Sequence, residues 1–333
     1  MTDPDSAPDS ALGPAPGPET APGSAPAVRR WAPPQPFGPH DLRRNLRVLQ
    51  RGPYDPACRA VGGAVWRATR TPLGPATLCV APDACAGEVV AEAWGPGAEW
   101  VLDRLPALLG ADDDPSAFVP RHRIVAEAHR RHPGLRLVRT GLVLESLIPS
   151  ILEQKVTTDE AYRAWRLLLR RYGEPAPGPA DRLPERMHVM PGPRTWALIP
   201  SWEWHRAGVD NKRSSTILRA VARARRMEEA ARMDPAAAVT RLTAIPGIGP
   251  WTAAETLQRT NGAADAVTVG DLHLPGIVVY ALTGARDGDD ARMLELLAPY
   301  AGQRHRATRL ILATGRTPPR RAPRFPRGDI ARL

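Results

Sequence analysis

The sequence predicts a mainly α protein in which a small α+β domain with an antiparallel sheet precedes an all-helical domain. Three observations carry this expectation. Residues 1–36 are dominated by Pro, Ala, Gly, Ser and Asp and hold almost nothing to bury, which predicts a disordered tail. Residues 37–112 contain short runs rich in Val, Ala, Thr and Trp, broken by Gly and Pro, as strands and hairpins are. From 113 to 316 the apolar residues recur at helical spacing, and a basic Pro/Arg tail follows at 317–333.

In the α+β domain, runs 64–69 and 76–80 flank Thr71-Pro72-Leu73-Gly74-Pro75, which predicts a hairpin. A third strand is expected over 88–94, stopped by Gly95-Pro96-Gly97. A helix over 98–109 then places Trp100, Val101, Leu105 and Leu108 or Leu109 on one face. Helices are expected next over 121–132, 142–156, 158–172, 193–198 and 212–231, and then over 235–244, 251–259, 274–282, 290–300 and 303–314. Nothing recurs at a fixed period, which argues against a solenoid.

The formal charge is +10, yet residues 1–28 hold four acidic residues and no Lys or Arg, leaving +14 on the rest. A basic body favours a polyanion, nucleic acid above all. Of the 45 cations 43 are Arg, since Lys155 and Lys212 are the only lysines, so part of this charge is compositional bias. Cys58, Cys79 and Cys85 form no even framework and no CxxC, which predicts reduced thiols in the cytoplasm. No basic segment precedes an apolar core at the N-terminus, and no apolar run reaches the ~20 residues of a membrane span. A monomer without a membrane partner is expected. His122, His129 and His132 fall near one helix face with no acidic or Cys partner, a solvated basic face rather than a metal site.

The most informative stretch is Ile245-Pro246-Gly247-Ile248-Gly249-Pro250-Trp251-Thr252-Ala253-Ala254. A Pro-Gly-x-Gly turn between two helices leaves backbone N–H groups at a helix N-terminus, where a phosphate can sit. Gly247 and Gly249 are expected to take left-handed angles and let a phosphate approach, with Pro250 suited to the first helical position. Asp271 stands twenty residues after Trp251, within Val267-Thr268-Val269-Gly270-Asp271-Leu272. A buried carboxylate there suits a reaction that builds positive charge on a sugar. Alone, the same residue reads as a helix cap, and the two roles are compatible. Lys212 and Arg213, at a helix start, are candidates for holding flanking phosphates.

These motifs resemble the helix-hairpin-helix DNA glycosylases, which carry a Pro-Gly-[Ile/Val]-Gly hairpin and a catalytic Asp about twenty residues downstream. The likeness is nearest to the 3-methyladenine DNA glycosylase II branch, through Gly247-Ile248-Gly249-x-Trp251-Thr252-Ala253. It extends upstream to Ser150-Ile151-Leu152-Glu153-Gln154-Lys155-Val156-Thr157 and downstream to Ala298-Pro299-Tyr300, covering about 140–315. The resemblance implies a helix-hairpin-helix glycosylase domain that acts on double-stranded DNA containing a damaged base. It makes Asp271 the catalytic residue and Pro246, Gly247, Ile248, Gly249 and Thr252 the backbone-binding hairpin. Trp251 and Glu255 then line the base pocket, and Gln154 and Lys155 lie on the loop that fills the gap left by the flipped base. Bifunctional members carry a Schiff-base Lys where this chain has Trp251, which implies a water-using enzyme without lyase activity. The branch leads one to expect an aromatic residue at 255, where this chain has Glu. No cofactor is expected beyond a structural monovalent cation at the hairpin, and the absence of Cys after Cys85 rules out the family's four-Cys iron–sulfur loop.

Overall fold

The computed structural model describes residues 25–33, 39–83 and 85–319. Its first unit is built on β1 (Ala27–Trp31), α1 (Pro39–Leu46), β2 (Cys58–Val61), β3 (Ala64–Thr71), β4 (Gly74–Asp83), β5 (Glu88–Trp94), α2 (Ala98–Asp103) and α3 (Leu105–Leu108). The strands form one antiparallel sheet in the order β1-β5-β4-β3-β2, with Val65 opposite Val80 and Leu78 opposite Ala93. Inward-facing Val65, Leu78, Val80, Val89 and Ala91 pack with Leu42, Leu46, Val101, Leu102 and Leu105. The Thr71–Gly74 corner closes the predicted hairpin with two residues between the strands.

Residues 27–31 correct the expectation of a tail running to 36. Ala27, Arg29 and Trp31 alternate with exposed neighbours, and pairing with β5 satisfies their backbone. Alternation over five residues is too short a signal to stand out from a Pro/Ala-rich context. The remainder of the expected N-terminal tail, residues 1–24 and 34–36, and positions 320–333 of the C-terminal one lie outside the described residues.

The helical domain follows as α4 (Arg123–Arg131), α5 (Val143–Leu152), α6 (Thr158–Tyr172), β6 (Glu174–Pro175), β7 (His188–Val189), α7 (Pro193–Ala197) and α8 (Ser201–Arg206). It continues through α9 (Asn211–Val221), α10 (Ala224–Glu228), α11 (Pro235–Thr243), α12 (Pro250–Thr260), α13 (Leu274–Thr283), α14 (Asp290–Leu297) and α15 (Arg304–Ala313). The two-residue pairing of β6 with β7 is a small departure from the all-helical expectation. Helix α5 is the hub, since Val143, Leu144 and every residue from 146 to 152 are buried. Its core also takes Trp165, Leu168, Trp196, Ile217, Leu242, Ile245, Ile248 and Leu257, so both arms of the hairpin are fixed to α5. A second helical core joins α4, α13, α14 and α15 through Val125, Val278, Leu297, Ala307 and Ile311.

Side-chain chemistry places most starts. Thr157 and Glu160 form a reciprocal capping box on α6, and Asp210, Asp234 and Asp289 cap α9, α11 and α14. The helix expected over 212–231 breaks near Arg223. The break turns Glu228 inward, where its carboxylate accepts from the N–H groups of Val143 and Leu144 and caps the buried start of α5. The expected 142–156 helix stops at Leu152, and Lys155 takes a left-handed φ of 55°.

Candidate active site

Hydrophobic anchoring and an exposed corner shape the hairpin. Ile245 and Ile248 are buried in the α5 core, Pro246 and Gly247 are exposed, and the Ile248 N–H donates to the Ile245 carbonyl at 3.0 Å. Gly247 has φ 99°, and a Cβ there would lie 2.1 Å from Thr216 Oγ1. Gly249 differs from expectation: its φ of −98° and ψ of −178° are extended backbone that any residue adopts. A Cβ on it would meet nothing within 4 Å, so its bareness keeps the space before α12 open. Pro250 has no N–H, the N–H groups of Trp251 and Thr252 have no intrahelical acceptor, and no side chain caps Gly249. The positive end of α12 therefore faces outward, ready for an anion.

Asp271 lies beside this end. Its Oδ2 accepts from Trp251 Nε1 at 3.0 Å, and its Oδ1 accepts from the His273 and Leu274 N–H groups, each at 2.8 Å. The carboxylate thus caps α13 and is tied to the hairpin helix at once. Its approach is fixed from behind, because Asp290 Oδ2 accepts from the Gly270 N–H at 2.9 Å. Three donors hold the Asp271 carboxyl group in one orientation. The Trp251 indole therefore positions the carboxylate through its edge as well as offering a face. Replacing Trp251 by Phe removes that donor with little change in volume; for the base excision that the resemblance implies, the expected fall is ~10-fold, about one lost hydrogen bond to a charged group. Single-turnover base release beside a melting curve checks this, and an unchanged rate would separate the indole from the chemistry.

Glu255 lies one turn beyond Trp251 on the same face of α12. Its Oε2 accepts from Arg259 Nη1 at 2.7 Å, and both side chains are mostly buried. Arg259 Nε donates to the Val48 carbonyl at 2.9 Å, which ties this face to the N-terminal unit. Nearby, Arg51 pairs with Glu153 at 2.7 Å.

Other expected residues divide sharply. Gln154 Nε2 donates to the Gly247 carbonyl at 3.0 Å and to Thr252 Oγ1 at 2.8 Å, so it braces the hairpin and is not free to enter a stack. Lys155, exposed at the loop's left-handed apex, is the side chain on offer there. Thr252 is buried with its hydroxyl turned to Gln154, leaving only its backbone N–H for a phosphate. Lys212 is exposed at the start of α9. Arg213 is not available: it is buried and donates to Asp210 Oδ2, the Leu152 carbonyl and the Gly208 carbonyl, because its register turns it into the α5–α9 seam. Arg219, which sequence reasoning passed over, is exposed and donates to the Pro246 carbonyl at 3.2 Å. Tyr300 is buried, and its hydroxyl accepts from the Arg121 and His122 N–H groups, a packing role. The His122 ring contacts Tyr300 and the His129 ring contacts Phe118, so both are packed rather than simply solvated. The turn carbonyls of Ile245, Pro246 and Gly247 each accept from a protein donor. These donors compete with the expected monovalent cation for the same carbonyls.

No family model matches the chain. Over 179 residues, 51% of this chain and 34% of the relative, it is 32% identical to the probable bifunctional transcriptional activator/DNA repair enzyme AlkA of Mycobacterium tuberculosis, in each of two strains. The chain thus spans about a third of the length of the curated relatives it matches. Among solved structures it resembles the 3-methyladenine DNA glycosylase of Archaeoglobus fulgidus, with TM-score 0.68, 16% identity and coverage of 86% of this chain and 98% of that one. It also resembles the 8-oxoguanine glycosylase/lyase of Clostridium acetobutylicum bound to double-stranded DNA, with TM-score 0.64, 12% identity and coverage of 84% and 92%. The chain shares the fold of these DNA glycosylases and is related in sequence to a DNA repair enzyme.

Proposed function

We propose that the protein is a monofunctional DNA N-glycosylase of base excision repair, working as a monomer on double-stranded DNA in the cytoplasm. The observation that carries this reading is a carboxylate, Asp271, bonded to the first residue after the hairpin's Pro250. In this reading the hairpin N–H groups grip a phosphate, Lys155 fills the vacated stack, and the extruded nucleotide brings its anomeric carbon to Asp271. The bond from that carbon to the base breaks with its electron pair leaving on the base. The charge left on carbon and ring oxygen faces Asp271, and a water oxygen then bonds to the carbon. The water gives up a proton as it adds; a cationic alkylated base departs neutral and needs none, an uncharged base takes one up, and an abasic sugar remains.

Trp251 offers no amine, and Lys155 and Lys212 lie outside the α12 face, so the reading has no Schiff-base step. The sequence likeness to AlkA supports an alkylated purine of the 3-methyladenine type as the lesion. One observation favours a second lesion class: the residue beside Trp251 is the ion-paired Glu255, not an aromatic surface for a cationic base. Duplexes each carrying one damaged purine test the reading. Purified protein is expected to release free base, leave the strand intact until alkali is added, and give no borohydride-trapped adduct. DNA binding without base release would instead make this a binding protein.

A further inference from the structure

The loop between α5 and α6 is held in an unfavourable shape by three separate anchors. Lys155 at its apex has φ 55°, a left-handed angle that a residue with a side chain keeps only where its surroundings impose it. Before the apex, Gln154 is tied to the hairpin; after it, Thr157 closes the capping box of α6. The third anchor comes from the N-terminal unit, where Arg51 Nη1 donates to Glu153 Oε1 at 2.7 Å and both side chains are mostly buried.

Arg51 is fixed in turn. Its N–H donates to Asp55 Oδ2 at 2.6 Å, and Asp55 Oδ1 accepts from the Ala57 N–H at 2.9 Å and from Trp165 Nε1 of α6 at 2.8 Å. Gly52 turns the chain with φ 83° and lies so near Tyr162 that a Cβ would stand 2.7 Å from its ring. Burial works against the charge of Arg51, but the carboxylates of Glu153, Glu255 and Asp55 outweigh it and hold the guanidinium above its usual range. The same segment reaches α12, because the Val48 carbonyl accepts from Arg259 Nε. Residues 48–55 thus grip both the loop after α5 and the helix after the hairpin.

A buried ion pair is a poor source of stability, since well-packed apolar side chains of similar size do as well or better. What it supplies is direction. The end of α5 needs no such help: Ile151 and Leu152 are buried, and the Leu152 carbonyl already accepts from Arg213. Residues 153–155 are the part that does, because Lys155 is exposed.

We propose that Arg51 is a positioning residue, through which the N-terminal unit holds the loop at 153–155 in register with the hairpin so that Lys155 enters the stack as the damaged base leaves. The inference rests on the glycosylase reading and gives the N-terminal unit a part in base extrusion. A side chain that fills a vacated stack has to arrive at a set distance from the phosphate that the hairpin grips. Glu153 and Gln154, held from the two units, set that distance.

Equilibrium binding to a duplex with a tetrahydrofuran abasic site, beside the same duplex undamaged, reads the wedge in the full chain. Single-turnover base release from one-lesion duplexes reads extrusion. Arg51→Met alone strands the Glu153 carboxylate and is expected to lower the melting temperature. Arg51→Met with Glu153→Met replaces the pair by apolar side chains, and its melting temperature is expected to equal or exceed the wild type's. Preference for the abasic duplex is nevertheless expected to fall ~10-fold in this double variant, with base release slowed to match, as part of the unstacking cost goes uncompensated. Affinity for undamaged DNA is expected to stay within about twofold, because the phosphate-facing N–H groups are unchanged. In a Lys155→Ala background the same two changes are expected to cost no more than about twofold further, since they act through that side chain. A double variant that regains stability and abasic-site preference together overturns the assignment, as do effects that simply multiply with those of Lys155→Ala. Wild-type release that ignores the Arg51 and Glu153 changes sinks only the positioning claim; no release from any lesion duplex sinks the glycosylase reading with it.

Discussion

Asn at position 271 is expected to lower base release ~10²-fold or more while leaving affinity for lesion DNA within a few-fold of wild type. The geometry explains why an isosteric change does so much. One side-chain oxygen of Asn can still cap His273 and Leu274, as Asp271 Oδ1 does, but the amide nitrogen then faces the Trp251 indole N–H, donor against donor. The substitution removes the charge opposite the developing cation and the bond that aims it, yet costs the fold only about 1 kcal/mol of hydrogen bonding. Asp271→Ser keeps a cap without a charge and is expected to be equally inactive. Affinity survives because the phosphate-facing N–H groups belong to the hairpin and α12. If Asp271→Asn retains more than about a tenth of wild-type excision, the carboxylate is only a cap.

The same residues show what a linear reading reaches. The meeting of Asp271 with Trp251 beside the hairpin was legible because it depends on short spacing: a glycine corner, a helix start, and a carboxylate twenty residues on. The Glu228 cap on α5 was not, since it comes from a carboxylate 85 residues downstream of the Val143 N–H that it accepts from. Gln154 and Arg213 show the converse error. Each has a residue type suited to DNA, and each is turned by the register of its own segment to donate to backbone carbonyls, Gln154 at the hairpin corner and Arg213 in the α5–α9 seam. Strand β1 failed for a different reason, because its stability comes from pairing with a strand some 60 residues downstream. Local pattern places elements and corners; which polar group is spent on the fold and which is spare is a three-dimensional property.

The two hairpin glycines separate folding from binding in a way that tests the whole arrangement. Ala at 247 meets a positive φ, costing about 1–2 kcal/mol, and drives its Cβ into Thr216, buried overlap worth about 1–3 kcal/mol more. The expected loss is about 2–5 kcal/mol of stability, with DNA binding lost as the corner distorts. Thr216→Ala removes the Oγ1 and Cγ2 that a new Cβ meets first, so the double variant is expected to recover part of the steric term and none of the backbone term. Gly249 gives the opposite result. Its extended backbone accepts Ala, and a less flexible unfolded chain makes the variant neutral to about 1 kcal/mol more stable. Yet the added methyl enters the open space before the α12 N-terminus, where a phosphate has to approach the Trp251 and Thr252 N–H groups, and DNA affinity is expected to fall ~10-fold. Chemical denaturation and equilibrium DNA binding on the two variants decide the matter. A Gly249→Ala protein that binds DNA as the wild type does would mean that no phosphate comes to this helix end, and Asp271 would then lack the grip that brings a nucleotide to it.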